Sequence, residues 1–274
     1  MNATVRNILI ICSIALVLGT LAWYLTPSAS ARECNVAYIP LRGQMVTYIP
    51  NSDSTSSSSD SSSSSGSFDV TSSEDVTQSI RGAVADPSIK AIVLAIDSPG
   101  GSPVAGEEIQ AALKLSSKPT AALIRESGDS AAYLAASGAD SIYASAFSDV
   151  GDIGITQSYL DNAKQDSENG LTYNQLSVGK YKDMFSSDKA MTPDERSLAM
   201  KQLQVDYSTL VSIVAKNRHM GTDQMTLLAD GSSETGTQAL SDGLIDAIGN
   251  VDDVRTYLTS KINAEAVICG IDTD

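Results

Sequence analysis

The sequence predicts an α/β domain with a mainly parallel sheet, and two observations carry that prediction. Short apolar runs at 91–96, 120–124 and 141–144 alternate with helical signals, as in strands joined through crossover helices. Two small-residue turns, Ser98-Pro99-Gly100-Gly101 and Gly128-Asp129-Ser130, follow the first two runs, at the strand ends where open α/β sheets gather ligands.

Taken in chain order, the first element is an uncharged apolar stretch at 8–25, just long enough to span a bilayer as a helix. Arg6 precedes it and Trp23-Tyr24 stand at its far end. It reads as a retained N-terminal transmembrane helix, with Ala29-Ser30-Ala31 offering the alternative of a cleaved secretory signal; both readings export the rest of the chain. The chain then divides into an anchor and juxtamembrane segment at 1–33, one domain at 34–268 and a tail at 269–274. Within the domain, residues 36–41 read as a buried first strand. The Ser- and Asp-dominated tract at 51–66 has too little apolar area to offset ordering entropy and reads as a disordered insertion. Thr71 with Glu74 reads as a capping box opening a helix to about Ala85, stopped by Asp86-Pro87. A strand at 91–96, a helix at 105–115, a strand at 120–124, a helix at 130–136 and a strand at 141–144 follow. Thr192-Pro193-Asp194-Glu195 combines a cap, a Pro at the first helical position and an acidic third position, and opens a helix to about Lys216. Its apolar residues Leu198, Leu203, Leu210, Ile213 and Val214 read as core or interface.

A net charge of −15, with scattered Lys and Arg, excludes nucleic acid as a partner. Cys12 falls in the apolar stretch. Cys34 and Cys269 stand near the two ends of the domain, either paired in an oxidising compartment or buried as thiols. With no C-x-x-C pair and one histidine, no metal site is expected.

The two turns suggest chemistry. Gly100 and Gly101 lack Cβ atoms, so their backbone amides can converge on a substrate carbonyl. Ser130 opens the next helix, where amides and dipole stabilise developing negative charge, although a plain N-cap is the simpler role. A nucleophilic serine needs a base. His219 sits in a helix-exit segment, an ordinary place for a structural histidine. The alternative is a lysine, which at a reference pKa near 10.4 is neutral at pH 7 only about once in 2,500, a cost of ~4.6 kcal/mol that burial must offset. Lys180-Tyr181-Lys182, after Gly179, offers candidates.

Six segments then occur in order: Ile96-Asp97-Ser98-Pro99-Gly100-Gly101, Asp129-Ser130-Ala131-Ala132-Tyr133, Gly151-Asp152-Ile153-Gly154-Ile155, Gly179-Lys180-Tyr181-Lys182-Asp183, Met191-Thr192-Pro193-Asp194-Glu195-Arg196 and Gly243-Leu244-Ile245-Asp246. Together they resemble the successive motifs of the signal-peptide peptidase A family, over roughly residues 36–254. The resemblance implies a ClpP/crotonase-like fold of repeated β-β-α units behind an N-terminal transmembrane helix. It implies Ser130 as nucleophile, Lys182 as general base and an oxyanion hole from Gly100, Gly101 and the Ala131 amide; Lys180 matches a non-catalytic family lysine. It further implies a cofactor-free serine endopeptidase on the extracytoplasmic side of the cell membrane, acting on peptides such as released signal peptides. Neighbouring subunits of a homo-oligomer would share each active site.

This chain departs from the family pattern at three places. Ser130-Ala131-Ala132-Tyr133 replaces Ser-Gly-Gly-Tyr and is closer to phage prohead peptidases. Asp152 replaces a serine that assists the lysine, and a carboxylate beside Lys182 would favour the ammonium and oppose base function. Asp129 adds charge next to the nucleophile unless it points outward as a helix cap. Two further readings therefore stand beside the peptidase: a non-catalytic peptide-binding or scaffolding relative, and a crotonase-type acyl-CoA enzyme. Export, few basic residues for a CoA phosphate and the Lys182 motif count against the latter.

Overall fold

A computed structural model describes residues 34–50 and 69–271 of the chain. The apolar stretch at 8–25, Cys12 and the serine tract at 51–66 lie outside them, and among the described residues no helix is long and apolar enough to cross a membrane.

The centre of the domain is a seven-stranded sheet. Its main path runs β1 (Val36–Arg42), β4 (Ala91–Ser98), β5 (Thr120–Asp129), β6 (Ser141–Ala144) and β9 (Ala247–Ile248), all parallel. A small parallel pair, β2 (Gln44–Val46) with β3 (Val70–Ser72), stands apart from it. The helices are α1 (Ser73–Ala85), α2 (Pro103–Lys114), α3 (Ala131–Ala136), α4 (Ala163–Glu168), α5 (Pro193–Asn217), α6 (Thr222–Leu228), α7 (Gly236–Ser241) and α8 (Val251–Ile262).

β4 over 91–96 and β5 over 121–124 are apolar at every position because both faces of the sheet are covered there. Alternation sorts their side chains. Ile92, Leu94, Ile96, Ala122 and Ile124 enter the larger core with Ile109, Tyr133 and Ile142, while Ala91, Val93, Ala121 and Leu123 pack with Val254 and Leu258 of α8. A disulfide between Cys34 and Cys269 ties the start of β1 to the end of the domain, and the Cys269 amide donates to Val36 O.

β5 runs further than the apolar run at 120–124 suggests. β6 pairs only with its first half; beyond it, β7 (Asp149–Gly151) takes over, matching Ser127, Gly128 and Asp129 to Asp149, Val150 and Gly151. β7 is in turn bound antiparallel by β8 (Ser233–Thr235). This second tier of pairing carries the strand past the body of the sheet and presents Ser130 at its tip.

One sequence expectation is corrected. Ser72, not Thr71, caps α1, its hydroxyl accepting from the Asp75 amide, so Glu74 falls outside a capping box. Thr71 is instead engaged with the end of β1, its hydroxyl donating to Arg42 O at 2.6 Å and accepting from the Arg42 amide. The Thr192–Glu195 box at α5 forms as expected, with both reciprocal bonds, and Lys189 pairs with Glu195 at 2.6 Å. That lysine and the capping bonds hold the Glu195 carboxyl down at about 2. The α5 stripe divides: Leu210 and Val214 are buried, Leu203 and Ile213 half-buried, and Leu198 exposed.

Candidate active site

The turn after β4 is held by β2. The Met45 amide donates to Gly100 O, and Met45 O accepts from the Ser102 amide. Gly100 and Gly101 have φ of 95° and 146°, and a Cβ on Gly101 would lie 2.3 Å from Met45 O, so this close approach admits no side chain. A Cβ on Gly100 would come within 2.9 Å of the Ser130 Cβ and 3.0 Å of the Ala131 amide nitrogen, which places this turn directly against the serine.

Ser130 has φ 54° and ψ −121°, a strained conformation for a residue with a side chain. Its hydroxyl makes no cap bond to α3, and its amide donates to Gly151 O at 2.7 Å. The plain N-cap role is therefore not the one the fold uses. The Gly100 amide donates to Ser98 Oγ at 3.1 Å. Among the described residues, the Gly101 and Ala131 amides have no backbone or side-chain acceptor; Ala131 follows Ser130 in the chain, and Gly101 lines the same cleft.

Ser130 lines a cleft of about 400 Å³ together with Gly101, Pro103, Asp152, Tyr207 and Asp230. Asp152 follows β7 at φ 45°, its amide donating to Ser232 O at 2.9 Å. Burial, and secondarily the charge of Asp129, raise its carboxyl above the ordinary value. Asp129 does not cap the helix. It is buried, accepting from Ser127 Oγ at 2.6 Å and Ser233 Oγ at 3.1 Å. Asp230 accepts from the amide and hydroxyl of Ser232, which hold its carboxyl below the ordinary value. Tyr207, Asp230 and the serines that hold Asp129 carry no motif; only an Asp-Gly-Ser turn signal marks Asp230, and such turns are common.

The two lysines lie elsewhere, on an arm spanning 155–192. Lys182 is exposed and does not line the Ser130 cleft. Lys180 is bound to Asp194 at 2.6 Å, which raises its pKa and keeps it protonated. The arm exposes Leu176 and Val178 almost completely, each at 98%. His219 ends α5 at φ 56° and is exposed, away from the cleft lining. The Gly243–Asp246 motif is structural: Arg218 clasps Asp246 through its two terminal guanidinium nitrogens at 2.9 and 3.1 Å, and the Ile142 amide donates to the same carboxylate.

The sequence profile of peptidase family S49 matches residues 112–265. The chain belongs to this family. Among relatives of this S49 chain, a protease-named protein of Methanocaldococcus jannaschii is 29% identical over 180 residues, covering 65% of this chain and 58% of that one. A protein of Enterococcus faecium whose name places it with the signal peptide peptidases SppA is 30% identical over 179 residues, 64% of this chain and 52% of its own length. Protease 4 of Salmonella typhi is 32% identical over 183 residues, 65% of this chain and 29% of the relative. The S49 chain thus spans little more than half the length of the first two relatives.

Proposed function

We propose that this S49 chain is a serine endopeptidase that cleaves exported peptides through an acyl-enzyme on Ser130, with Lys182 of a neighbouring subunit as general base. The observation that carries the reading is Ser130 itself, held at φ 54° in the lining of a cleft that also includes Gly101, with the Gly101 and Ala131 amides unengaged among the described residues. The serine oxygen attacks the scissile carbonyl while the lysine amine takes its proton. The new oxyanion accepts from the Gly101 and Ala131 amides in this reading, and the resulting ammonium protonates the leaving amine. Water then hydrolyses the ester with the lysine again as base, so atoms and charge balance over the cycle. Anchoring through residues 8–25 and an extracytoplasmic location belong to the same reading, and the Cys34–Cys269 disulfide supports an oxidising compartment.

Sharing of the site is supported by the exposed position of Lys182 and by the exposed apolar residues of its arm. Mixing inactive Ser130→Ala and Lys182→Ala chains in equal amounts tests it. Randomly mixed assemblies recover about a quarter of wild-type peptidase activity if each site takes its serine and lysine from different subunits. No recovery, with both variants assembled, defeats the shared site. A second reading, a peptide-binding relative without catalysis, draws on the carboxylates of Asp152 and Asp129 beside Ser130. It requires that a serine-directed fluorophosphonate leaves Ser130 unlabelled at every pH.

A further inference from the structure

From the Ser130 cleft we infer that the peptidase selects a basic side chain next to the scissile bond, paired by the carboxylates of Asp152 and Asp230, which line the cleft from adjoining segments. The inference rests on the peptidase reading above and names the substrate class of that same site. Asp152 and Asp230 both line the cleft that holds Ser130, and no lysine or arginine lines it. The Asp152 carboxylate has no hydrogen-bond or ion-pair partner among the described residues, while Asp230 uses one carboxylate oxygen on Ser232 and leaves the other unengaged. Asp129, buried and held by the Ser127 and Ser233 hydroxyls, is a third carboxylate close enough to act on Asp152.

Such a cleft is a poor place to build an oxyanion unless cations enter it, because like charges disfavour one another at short range. The lysine of the proposed mechanism brings one positive charge, set against three carboxylates and a developing alkoxide. The remaining excess is matched when the substrate brings a cation of its own. A lysine or arginine side chain fits: its apolar stem lies along Pro103, Ile155 and Tyr207, which line the same cleft, while its head reaches the carboxylates. Acidic side chains are repelled from the same walls, which gives the selectivity its negative half.

The test uses the full-length chain and three fluorogenic peptides that differ only at one residue beside the scissile bond: lysine, norleucine or glutamate. Norleucine keeps most of the stem and removes the charge. The expected order of kcat/KM is lysine, norleucine, glutamate, with roughly tenfold between the first two and a narrowing gap as salt rises. In Asp230→Asn and Asp152→Asn the lysine-to-norleucine ratio falls toward one. Equal turnover of the lysine and norleucine peptides by the wild-type chain, or an unchanged ratio in Asp230→Asn, overturns the inference. Binding of the same peptides to Ser130→Ala, read by fluorescence anisotropy, separates the two ideas. Lysine-selective binding without wild-type cleavage sinks the peptidase reading and keeps the cleft's selectivity, whereas cleavage with non-selective binding and turnover does the reverse.

Discussion

The Ser130 tip and the Lys182 arm form opposite kinds of structure. Ser130 ends a strand paired on both sides, its amide is fixed by Gly151, and the turn facing it is pinned through Met45. The arm from 155 to 192 carries one short helix and little buried side chain. It is held to itself by contacts such as the Tyr173 hydroxyl on Asp183 and the Tyr159–Phe185 ring pair. The contrast teaches that one half of the proposed dyad is built into the core and gains its geometry from folding. The other half is displayed on a surface whose apolar residues, Leu160, Leu176 and Val178, are left exposed by the described residues. Strain at Ser130 is tolerable because the surrounding pairing over-determines it; an exposed arm has no comparable means of placing a lysine.

The strongest way to break this comparison is to remove Lys182 and Lys180 in turn. Lys182→Ala is expected to lower kcat by about 10⁴-fold, with an unchanged melting temperature because the side chain is exposed. Lys180→Ala, which loses only a surface pair with Asp194, changes kcat less than about threefold. Similar losses in both, measured with one peptide at one pH, would show that the arm acts only as a structural unit.

On the core side, Gly101→Ala forces a Cβ against Met45 O at φ 146° and shifts the amide proposed to hold the oxyanion. A fall of about 10²-fold in kcat/KM is expected, with a lower denaturation midpoint. Wild-type kinetics in this variant would remove the Gly101 amide from the site. Asp246→Ala leaves the largely buried Arg218 and the Ile142 amide without their shared acceptor. Urea unfolding should show a loss of about 2 kcal/mol, with serine reactivity retained in the folded fraction.

The smallest effect is expected at Asp152, where the two halves would meet. Asp152→Asn removes a carboxylate that, in the proposed shared site, favours the lysine ammonium, so the rise of kcat/KM with pH should move to lower pH by about one pH unit. A rise that stays in place, or moves up, would separate Asp152 from the base. Stability gives a second reading. Burial and Asp129 raise the folded carboxyl above its unfolded value, so its ionised form opposes folding at neutral pH. Asn, which tolerates the left-handed conformation at this position, should therefore raise the melting temperature slightly at pH 7. That gain should disappear as pH falls below the ordinary carboxyl value.

Much of the sheet was legible because its strands are short apolar runs closed by turn residues, and local pattern suffices for that. The start of α5 was equally plain, since Thr192, Pro193 and Glu195 act within one turn of helix. The cap of α1 was misplaced by one residue because Thr71 and Ser72 are both good caps, and only the Arg42 backbone, distant in sequence, recruits Thr71 away. The second half of β5 was invisible for a related reason. Ser127, Gly128 and Asp129 are poor strand formers, extended there only because β7 pairs with them.

By itself, then, the sequence determined the parallel α/β class, the Gly100-Gly101 turn and Ser130 as the residue to examine, because each depends on residue type at short range. Tertiary structure decided the rest: the left-handed backbone of Ser130, the amides left unengaged beside it, the burial of Asp129 between two serines and the entry of Asp230 into the cleft. Each of these depends on segments far apart in the chain arriving at one point, and no local pattern encodes that distance.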